Sequence, residues 1–182
     1  MHRSRGFTLI EFLATVAVLG ILLGGALPSM SAFIARQRVI SAANELIAGL
    51  HLARTFAVTH HRQTSLCPSA DLIICNSEPD WGSGWLVFDD ANRNREHDAD
   101  EVIYRAHQRT SAITIRTPRS RRRIRFRVDG SAPGTNVTFT VCSSQGTAAP
   151  TAFILSNTGR VRHSDEGPSG RALNCEKNQK SR

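Results

Sequence analysis

The hydrophobic pattern begins with an apolar run from Phe7 to Leu27 that is broken by a single charge at Glu11. At 1.5 Å per residue this run makes a helix about 32 Å long, which is enough to cross a bilayer. Arg3 and Arg5 precede the run and orient its short N-terminal end towards the cytoplasm. The pattern therefore predicts a membrane-spanning helix followed by an exported domain.

Glycine and proline residues occur towards the end of this run and directly after it, at Gly20, Gly24, Gly25 and Pro28. The spacing of Gly20 and Gly24 also fits a helix-packing face. The interpretation as a weak helix is favoured, because glycine disfavours a helix interior and proline removes a backbone hydrogen bond. We therefore expect this stretch to bend or melt when the helix enters an assembly.

Apolar residues return at steps of three and four after Pro28 and continue to about His61. The members of this stripe are Ile40, Ala43, Leu46, Ile47, Leu50, Ala53 and Ala57. Such spacing predicts that the helix continues with one apolar face. That face is expected to pack on the protein's own sheet. A coiled coil with a partner is the alternative, although the heptad is not sustained.

Short β-like runs follow from Gln63 onward, with turn residues between them. They span residues 64–67, 85–88, 102–106, 112–116, 123–128, 137–142 and 152–155. The predicted fold class is α+β, with a long N-terminal helix whose hydrophobic half is transmembrane and whose C-terminal half packs on a mostly antiparallel sheet. Residues 167–182 are predicted to be a polar C-terminal tail.

Positive charge is concentrated in the C-terminal part of the chain. Residues 1–104 hold 8 basic and 11 acidic residues, whereas residues 105–182 hold 15 and 4. Nearly all the basic residues are arginines, which favour planar bidentate partners such as phosphate. Nucleic acid is therefore a candidate partner. The common catalytic and nucleotide-binding motifs do not occur, so neither an enzyme nor a cofactor is predicted.

The segment Gly6-Phe7-Thr8-Leu9-Ile10-Glu11 resembles the prepilin peptidase site of type IV pilins and type II secretion pseudopilins. In that family the chain is cut after the glycine and the new N-terminal phenylalanine is methylated. The resemblance implies that residues 1–6 are a leader and that residues 7–28 form the transmembrane and filament-core helix. It also implies that Glu11 meets the amino terminus of a neighbouring subunit, in keeping with the cost of a carboxylate in an apolar span.

Further segments resemble the GspH/FimT group of minor pilins. They are Glu45 to Ala57 (ELIAGLHLARTFA), Leu66-Cys67-Pro68, Gly84-Trp85-Leu86-Val87-Phe88-Asp89 and Thr158-Gly159-Arg160-Val161-Arg162. The resemblance implies a pilin globular domain over residues 29–166. It also implies a single-pass inner-membrane protein with a periplasmic domain that later joins an extracellular pilus. Its expected partners are other pilins, the prepilin peptidase and the inner membrane.

The four cysteines form an even set, which in an exported protein is typical of two disulfides: Cys67, Cys75, Cys142 and Cys175. The sequence alone allows three pairings. The resemblance and the exported location suggest that Cys67 pairs with Cys75 and Cys142 with Cys175.

Two metal sites are alternatives that the sequence does not favour. His60, His61, Cys67 and Cys75 carry zinc donors, but their spacing matches no standard pattern. Residues 90–101 resemble a calcium-binding loop, but Arg95 occupies the position that requires glycine. We interpret this segment as a polar loop and predict no metal.

An arginine run between residues 116 and 127 is the largest charge feature: Arg116, Arg119, Arg121, Arg122, Arg123, Arg125 and Arg127. From Arg123 to Arg127 arginine alternates with apolar residues, so on a strand Arg123, Arg125 and Arg127 share one face. The favoured interpretation is an exposed phosphate-binding face, because no acidic residue lies within the run. The alternative is that these arginines pair with the acidic loop at residues 89–101.

Gly159-Arg160-Val161-Arg162 follows a turn signal. In an extended segment Arg160 and Arg162 point to one side while Val161 anchors the other, and two guanidinium forks so placed suit neighbouring phosphates. In FimT-type minor pilins the matching Gly-Arg-x-Arg is implicated in binding DNA for uptake. The resemblance implies that role for Arg160 and Arg162 only. Arg171, Lys177 and Lys180 follow in the chain and are expected to add positive charge. A plain hairpin that ends in solvated arginines is the alternative.

These features together favour a minor type IV pilin that binds extracellular double-stranded DNA through phosphates for uptake in natural transformation. The alternative is a structural or priming minor pilin, or a type II secretion pseudopilin of the GspH kind, whose arginines contact other subunits.

Overall fold

A single long helix, α1, runs from Leu9 to Thr59 in the computed structural model, which describes residues 8–108, 112–146, 148–167, 170–173 and 175. Its N-terminus is capped by Thr8, whose hydroxyl accepts a hydrogen bond from the amide of Glu11 at 3.3 Å. The Glu11 carboxylate in turn accepts one from the amide of Thr8 at 3.1 Å. This reciprocal pair satisfies two amides that a helix start leaves without partners.

The helix passes through Gly20, Gly24 and Pro28 without interruption. The expected bend concerns entry into an assembly and stays a prediction. The sequence predicts a membrane span from Phe7 to Leu27, yet no helix of the described residues is both long and apolar enough to cross a membrane.

Eight strands follow the helix and form two four-stranded antiparallel sheets. Their bounds are β1 Thr64–Pro68, β2 Gly84–Asp89, β3 Ile103–Gln108, β4 Ile113–Arg116, β5 Ile124–Phe126, β6 Val137–Ser143, β7 Thr151–Leu155 and β8 Val161–Ser164. The first sheet has the order β3-β2-β1-β5, and the second has the order β4-β6-β7-β8. The expectation of a long helix on antiparallel strands is confirmed, but the strands divide between two sheets rather than one.

The division follows from how the core is filled. The apolar face of α1 is long enough to contact strands of both sheets. Trp81, in a short 3-10 turn over Trp81–Ser83, is buried and meets Phe139 of β6 edge-on with ring centroids 5.4 Å apart. This turn belongs to the loop before β2 but packs on the second sheet, and it therefore closes the core where the two sheets meet.

The helix and the first sheet are fitted together at Gly49. A β-carbon at this position would lie 2.5 Å from the ring of Trp85 on β2. Trp85 is fully buried, and burial of a large aromatic side chain contributes roughly 2–3 kcal/mol. Only glycine lets the ring approach the helix this closely, so the contact fixes how α1 is rotated against the sheet.

Both disulfides have the pairing that the resemblance suggested. Cys67 bonds Cys75 and so closes the loop after β1, which covers Leu86 and Phe88 on the outer side of the first sheet. Cys142 of β6 bonds Cys175, which fastens the C-terminal segment to the second sheet.

Candidate nucleic-acid interface

The Gly-Arg-x-Arg segment lies at the β7–β8 hairpin on the edge of the second sheet. Leu155 pairs with Val161 and Ile154 with Arg162 across the hairpin, while Val161 packs against the core. Arg160 and Arg162 are both exposed. Because strand residues alternate between faces, the two arginines point to the side opposite Val161. The hairpin therefore has the one-sided arrangement of arginines that the sequence predicts.

The turn of this hairpin is held by the helix and by a neighbouring turn. Gly159 is buried with φ of +76°, and a β-carbon there would lie 2.2 Å from the carbonyl oxygen of Gly130. The guanidinium of Arg54 on α1 donates a hydrogen bond to the Gly159 carbonyl at 3.1 Å. Gly159 is therefore required for close backbone approach, and it does not itself supply a binding group.

Asn157 also holds the turn of the β7–β8 hairpin in place. Its side-chain oxygen accepts hydrogen bonds from the amides of Thr135 and Asn136 at 3.1 and 3.0 Å. Sequence reasoning missed the roles of both Asn157 and Arg54. Asn157 belongs to the turn signal that precedes Gly159, and Arg54 has the pattern of an ordinary polar position of an amphipathic helix.

The guanidinium groups of Arg160 and Arg162 have no hydrogen bond or ion pair with any residue in the described part of the chain. Arg162 borders a cleft of about 430 Å³ that Glu166 and Gly167 also line. The amide of Gly167 donates to the carbonyl of Arg171 at 2.7 Å, which brings exposed Arg171 to the segment beside this cleft. Glu166 is the carboxylate that shares the cleft. The end of the second sheet thus carries three exposed arginines.

The predicted exposed face of Arg123, Arg125 and Arg127 is wrong at Arg123. The side chain of Arg123 is 11% exposed and forms an ion pair with Glu96 at 2.6 Å. It also donates to the carbonyl of Asn76 at 2.7 Å. The loop at residues 90–101 folds over the outer face of β5 and supplies this carboxylate, which is the pairing that the alternative interpretation proposed.

Arg125 and Arg127 differ from Arg123. Arg125 is half-buried on the outer face of β5, whereas Arg127 follows the strand and is exposed. Ile124 and Phe126, between the three arginines, are fully buried in the core as their alternation predicted. The structure therefore does not bring the three arginines and the hairpin pair together as one uniform exposed face.

The loop at residues 90–101 is closed by its own side chains. The side-chain amide groups of Asn92 and Asn94 each donate a hydrogen bond to the carboxylate of Asp98 at 2.7 Å. Burial raises the pKa of Glu101 despite hydrogen bonds from backbone amides. In the ranges that the structure describes, no group of three or more His, Cys, Asp or Glu side chains is placed to hold a metal ion.

The predicted processing site is described only in part. Gly6 and Phe7 lie outside the described residues. Glu11 is described, and its carboxylate binds Thr8 of its own chain. Its predicted contact with a neighbouring subunit stays a prediction.

Comparison with known proteins agrees with this architecture. Residues 42–159 match the family described as Type II transport protein GspH, and residues 1–27 match the prokaryotic N-terminal methylation motif. The chain belongs to the GspH family. Two crystal structures of the type IV minor pilin FimU from Pseudomonas aeruginosa are similar to this pilin, each with a TM-score of 0.56.

In one of these structures the identity is 25%, over 76% of this pilin and 98% of that chain. In the other it is 26%, over 71% and 97%. No curated protein sequence matches this pilin. The family, the methylation motif and the fold make it a minor type IV pilin or pseudopilin, which associates with other pilins and is a substrate of the prepilin peptidase. Both family and fold are those of structural, pilin-like proteins.

Proposed function

We propose that this minor pilin binds extracellular double-stranded DNA, without sequence specificity, for uptake in natural transformation. The observation that carries the proposal is the pair Arg160 and Arg162, which are exposed on one side of a braced hairpin and have no carboxylate partner in the described residues. Arginine forks bind phosphate oxygens in a bidentate manner, and phosphate contacts position a protein on DNA without reading its sequence.

Rigid support of the hairpin strengthens this proposal. The turn is fixed by Arg54, by the close contact of Gly159 with Gly130 and by Asn157. A braced turn loses little freedom when its arginines engage phosphate, so more of the interaction energy remains for binding. Arg171 adds a further exposed charge nearby.

The family assignment and the methylation motif support the proposed location. The pilin is held in the inner membrane through its N-terminal segment, with its folded domain in the periplasm, and then enters an extracellular pilus. DNA therefore meets the hairpin outside the cell.

A structural role is the second candidate, and a specific observation favours it. Large apolar side chains are exposed along the first half of α1, including Leu9, Phe12, Leu13, Leu22 and Phe33. Exposed apolar surface of this extent is typical of packing against other helices or lipid. A priming minor pilin or a pseudopilin of the GspH kind would use this surface and leave the hairpin arginines to contact other subunits.

The deciding experiment measures duplex DNA binding by the full chain in nonionic detergent at several salt concentrations. The test variant is Arg160→Ala/Arg162→Ala. The matched control is Arg36→Ala/Arg38→Ala, which removes two exposed arginines with the same spacing from α1. We expect the test variant to weaken binding by about tenfold or more and to flatten the log-log salt dependence by about 1.8, because two phosphate contacts are lost.

The control should keep both the affinity and the salt dependence of the parent protein. Equal losses in the two variants would mean that only net charge matters and would reject the hairpin as the site. An absence of salt-sensitive binding by the parent protein would reject DNA binding and leave the structural role.

A further inference from the structure

A second basic cleft, of about 580 Å³, lies where the C-terminal end of α1, the start of the loop at residues 90–101 and the end of β5 meet. Four arginines line it: Arg62, Arg93, Arg125 and Arg127. They come from three separate parts of the chain, so the fold and not the local sequence brings them together. Arg160 and Arg162 do not line this cleft.

Arg125 lies in this cleft with an unused donor. Its Nε is buried and has no hydrogen-bond partner among the described residues. A buried donor without a partner costs about 1–3 kcal/mol, so such groups are rare unless something else satisfies them.

The neighbouring carboxylate does not satisfy Arg125. Asp90 is buried, and one of its oxygen atoms accepts hydrogen bonds from Gln63 at 2.7 Å and Ser65 at 2.5 Å. Its other oxygen accepts the amide of Arg95 at 3.3 Å. The carboxylate is thus occupied by donors from its own surroundings and not by the guanidinium of Arg125.

Charge in the cleft is only partly balanced. Arg62 forms an ion pair with Asp89 at 2.6 Å, and Asp90 is the carboxylate among the lining residues. With Asp89 counted as the partner of Arg62, the four lining arginines and the two carboxylates leave a net charge of +2. Two further charges of opposite sign act on the lining arginines: Arg95 on Arg125 and Asp129 on Arg127.

The pKa of Arg125 reflects this excess of positive charge. Burial lowers the pKa of its guanidinium, and the nearby charges of Arg95 and Arg127 lower it further. Asp90 acts in the opposite direction and does not cancel these effects. An anion in the cleft would supply the missing opposite charge and an acceptor for Nε.

We propose that this cleft binds the terminal phosphate of a phosphate monoester, with Arg125 at its base and Arg93 and Arg127 at its rim. Neither rim guanidinium forms a hydrogen bond or an ion pair within the described ranges, although the charges of Arg127 and Asp129 attract each other. Both guanidinium groups are exposed and so can contact a ligand. A monoester dianion matches the residual charge of the cleft, whereas a diester carries one negative charge. A terminal phosphoryl group can also enter a concave site with one end, while a diester must leave room for a substituent on both sides.

This inference is independent of the proposed DNA-binding hairpin because it uses other residues. A test uses the full chain in nonionic detergent at mildly alkaline pH, where inorganic phosphate is mainly a dianion. Inorganic phosphate and dimethyl phosphate are titrated at constant ionic strength against a chloride blank. The readout is the NMR signals of the arginine Nε–H groups, because the signal of Arg125 reports on the unpartnered atom itself.

We expect inorganic phosphate to shift the Arg125 signal in a saturable manner and dimethyl phosphate to bind about tenfold more weakly. Arg93→Ala and Arg127→Ala should each weaken phosphate binding by about tenfold and keep the fold, since both side chains are exposed. Arg119→Ala is the matched control, as it removes an exposed arginine outside the cleft and should leave the affinity unchanged. Arg160→Ala/Arg162→Ala should also bind phosphate normally.

Micelles that contain phosphatidic acid or phosphatidylglycerol distinguish the source of the phosphate. A shift of the Arg125 signal with phosphatidic acid but not with phosphatidylglycerol assigns a lipid phosphate monoester as the ligand. A shift with inorganic phosphate but with neither lipid assigns a soluble phosphate monoester. No saturable shift of Arg125 with any monoester would overturn the proposal. Equal affinity for dimethyl phosphate, or unchanged affinity in both rim variants, would overturn it as well.

Discussion

Two arginine segments of this pilin share a local pattern and differ in their surroundings. In β5 and in the β7–β8 hairpin, arginines alternate with residues that pack inward, namely Ile124 and Phe126 in one case and Val161 in the other. At β5 the loop at residues 90–101 covers Arg123 and pairs it with Glu96. At the hairpin, Arg160 and Arg162 remain exposed.

The difference shows that the function of an alternating arginine pattern is decided by what covers it. Arg123 acts as a structural anchor, since it also donates to the carbonyls of Asn76 and Cys75 and so joins two loops to the sheet. The turn that carries Arg160 and Arg162 is held by Arg54 of α1, and the two arginine side chains are exposed to solvent. Substitutions in each segment and a change of pH can test this contrast.

Gly159→Ala should have the largest effect, because it places a β-carbon 2.2 Å from the Gly130 oxygen at a positive φ. We expect a loss of more than about 3 kcal/mol in the free energy of unfolding, measured by chemical denaturation. The matched control is Gly146→Ala, which has a similar φ of +68° but nothing within 4 Å of the new carbon. It should lose only about 1–2 kcal/mol. Similar losses in both variants would show that the close backbone contact is unimportant.

Arg123→Ala should destabilise the protein by about 1–3 kcal/mol, since partly buried hydrogen bonds of a charged group are lost and Glu96 is left unpaired. Its DNA affinity should equal that of the parent protein. Arg160→Ala should do the reverse, with a stability change within about 0.5 kcal/mol and weaker DNA binding. Unfolding curves and DNA titrations of both variants test whether Arg123 acts on stability and Arg160 on binding. A stability loss in Arg160→Ala would contradict this prediction.

Arg54→Met keeps an apolar stem but removes the hydrogen bond to the Gly159 carbonyl. We expect a loss of about 1 kcal/mol in unfolding free energy and a modest decrease in DNA affinity, because the hairpin becomes less fixed. Arg36→Met on the exposed surface of α1 serves as the control and should change neither quantity. If both variants bind DNA equally well, the support from α1 does not contribute to binding.

Acid should weaken the turn that supports the hairpin. Hydrogen bonds from the hydroxyl and the amide of Ser131 lower the pKa of Asp129, which lies in the turn that leads to Gly130. The stability from this lowered pKa is present above the ordinary aspartate pKa of about 3.9 and is lost as the pH falls through the folded-state value. Asp129→Asn should therefore lose less stability than the parent protein between neutral and strongly acidic pH, as measured by thermal unfolding. A parallel decline in both proteins would contradict this role.

Local patterns predicted most of the fold. The stripe from Ala43 to Ala57 predicted the packed part of α1, but the prediction is wrong at Ile40, which is exposed while Val39 is buried. Seven of the eight strands coincide with predicted runs to within a few residues. β8 was missed as a strand because Val161 is its one apolar residue, so neither alternation nor a buried run marks it. The separation into two sheets depends on how Trp81 and α1 fill the core between strands that are distant in sequence.

The candidate site was predictable only where a short segment contains its determinants. The one-sided placement of Arg160 and Arg162 follows from spacing alone. The ion pair of Arg123 joins residues 27 positions apart, and the bond from Arg54 to Gly159 spans 105 positions. Such contacts leave no periodic signal in the sequence. The covering of Arg123 could therefore be offered only as an alternative, and the support of the hairpin could not be derived at all.

The contact between Gly49 and Trp85 also determines the direction in which this pilin faces. Consecutive residues of a helix are about 100° apart around its axis, and a β-carbon at position 49 would lie 2.5 Å from the ring of Trp85. When α1 is held among other helices, the missing side chain at position 49 therefore contributes to the direction in which the folded domain faces. A larger residue at position 49 would change the orientation of the hairpin relative to α1 even if every arginine in the hairpin were unchanged.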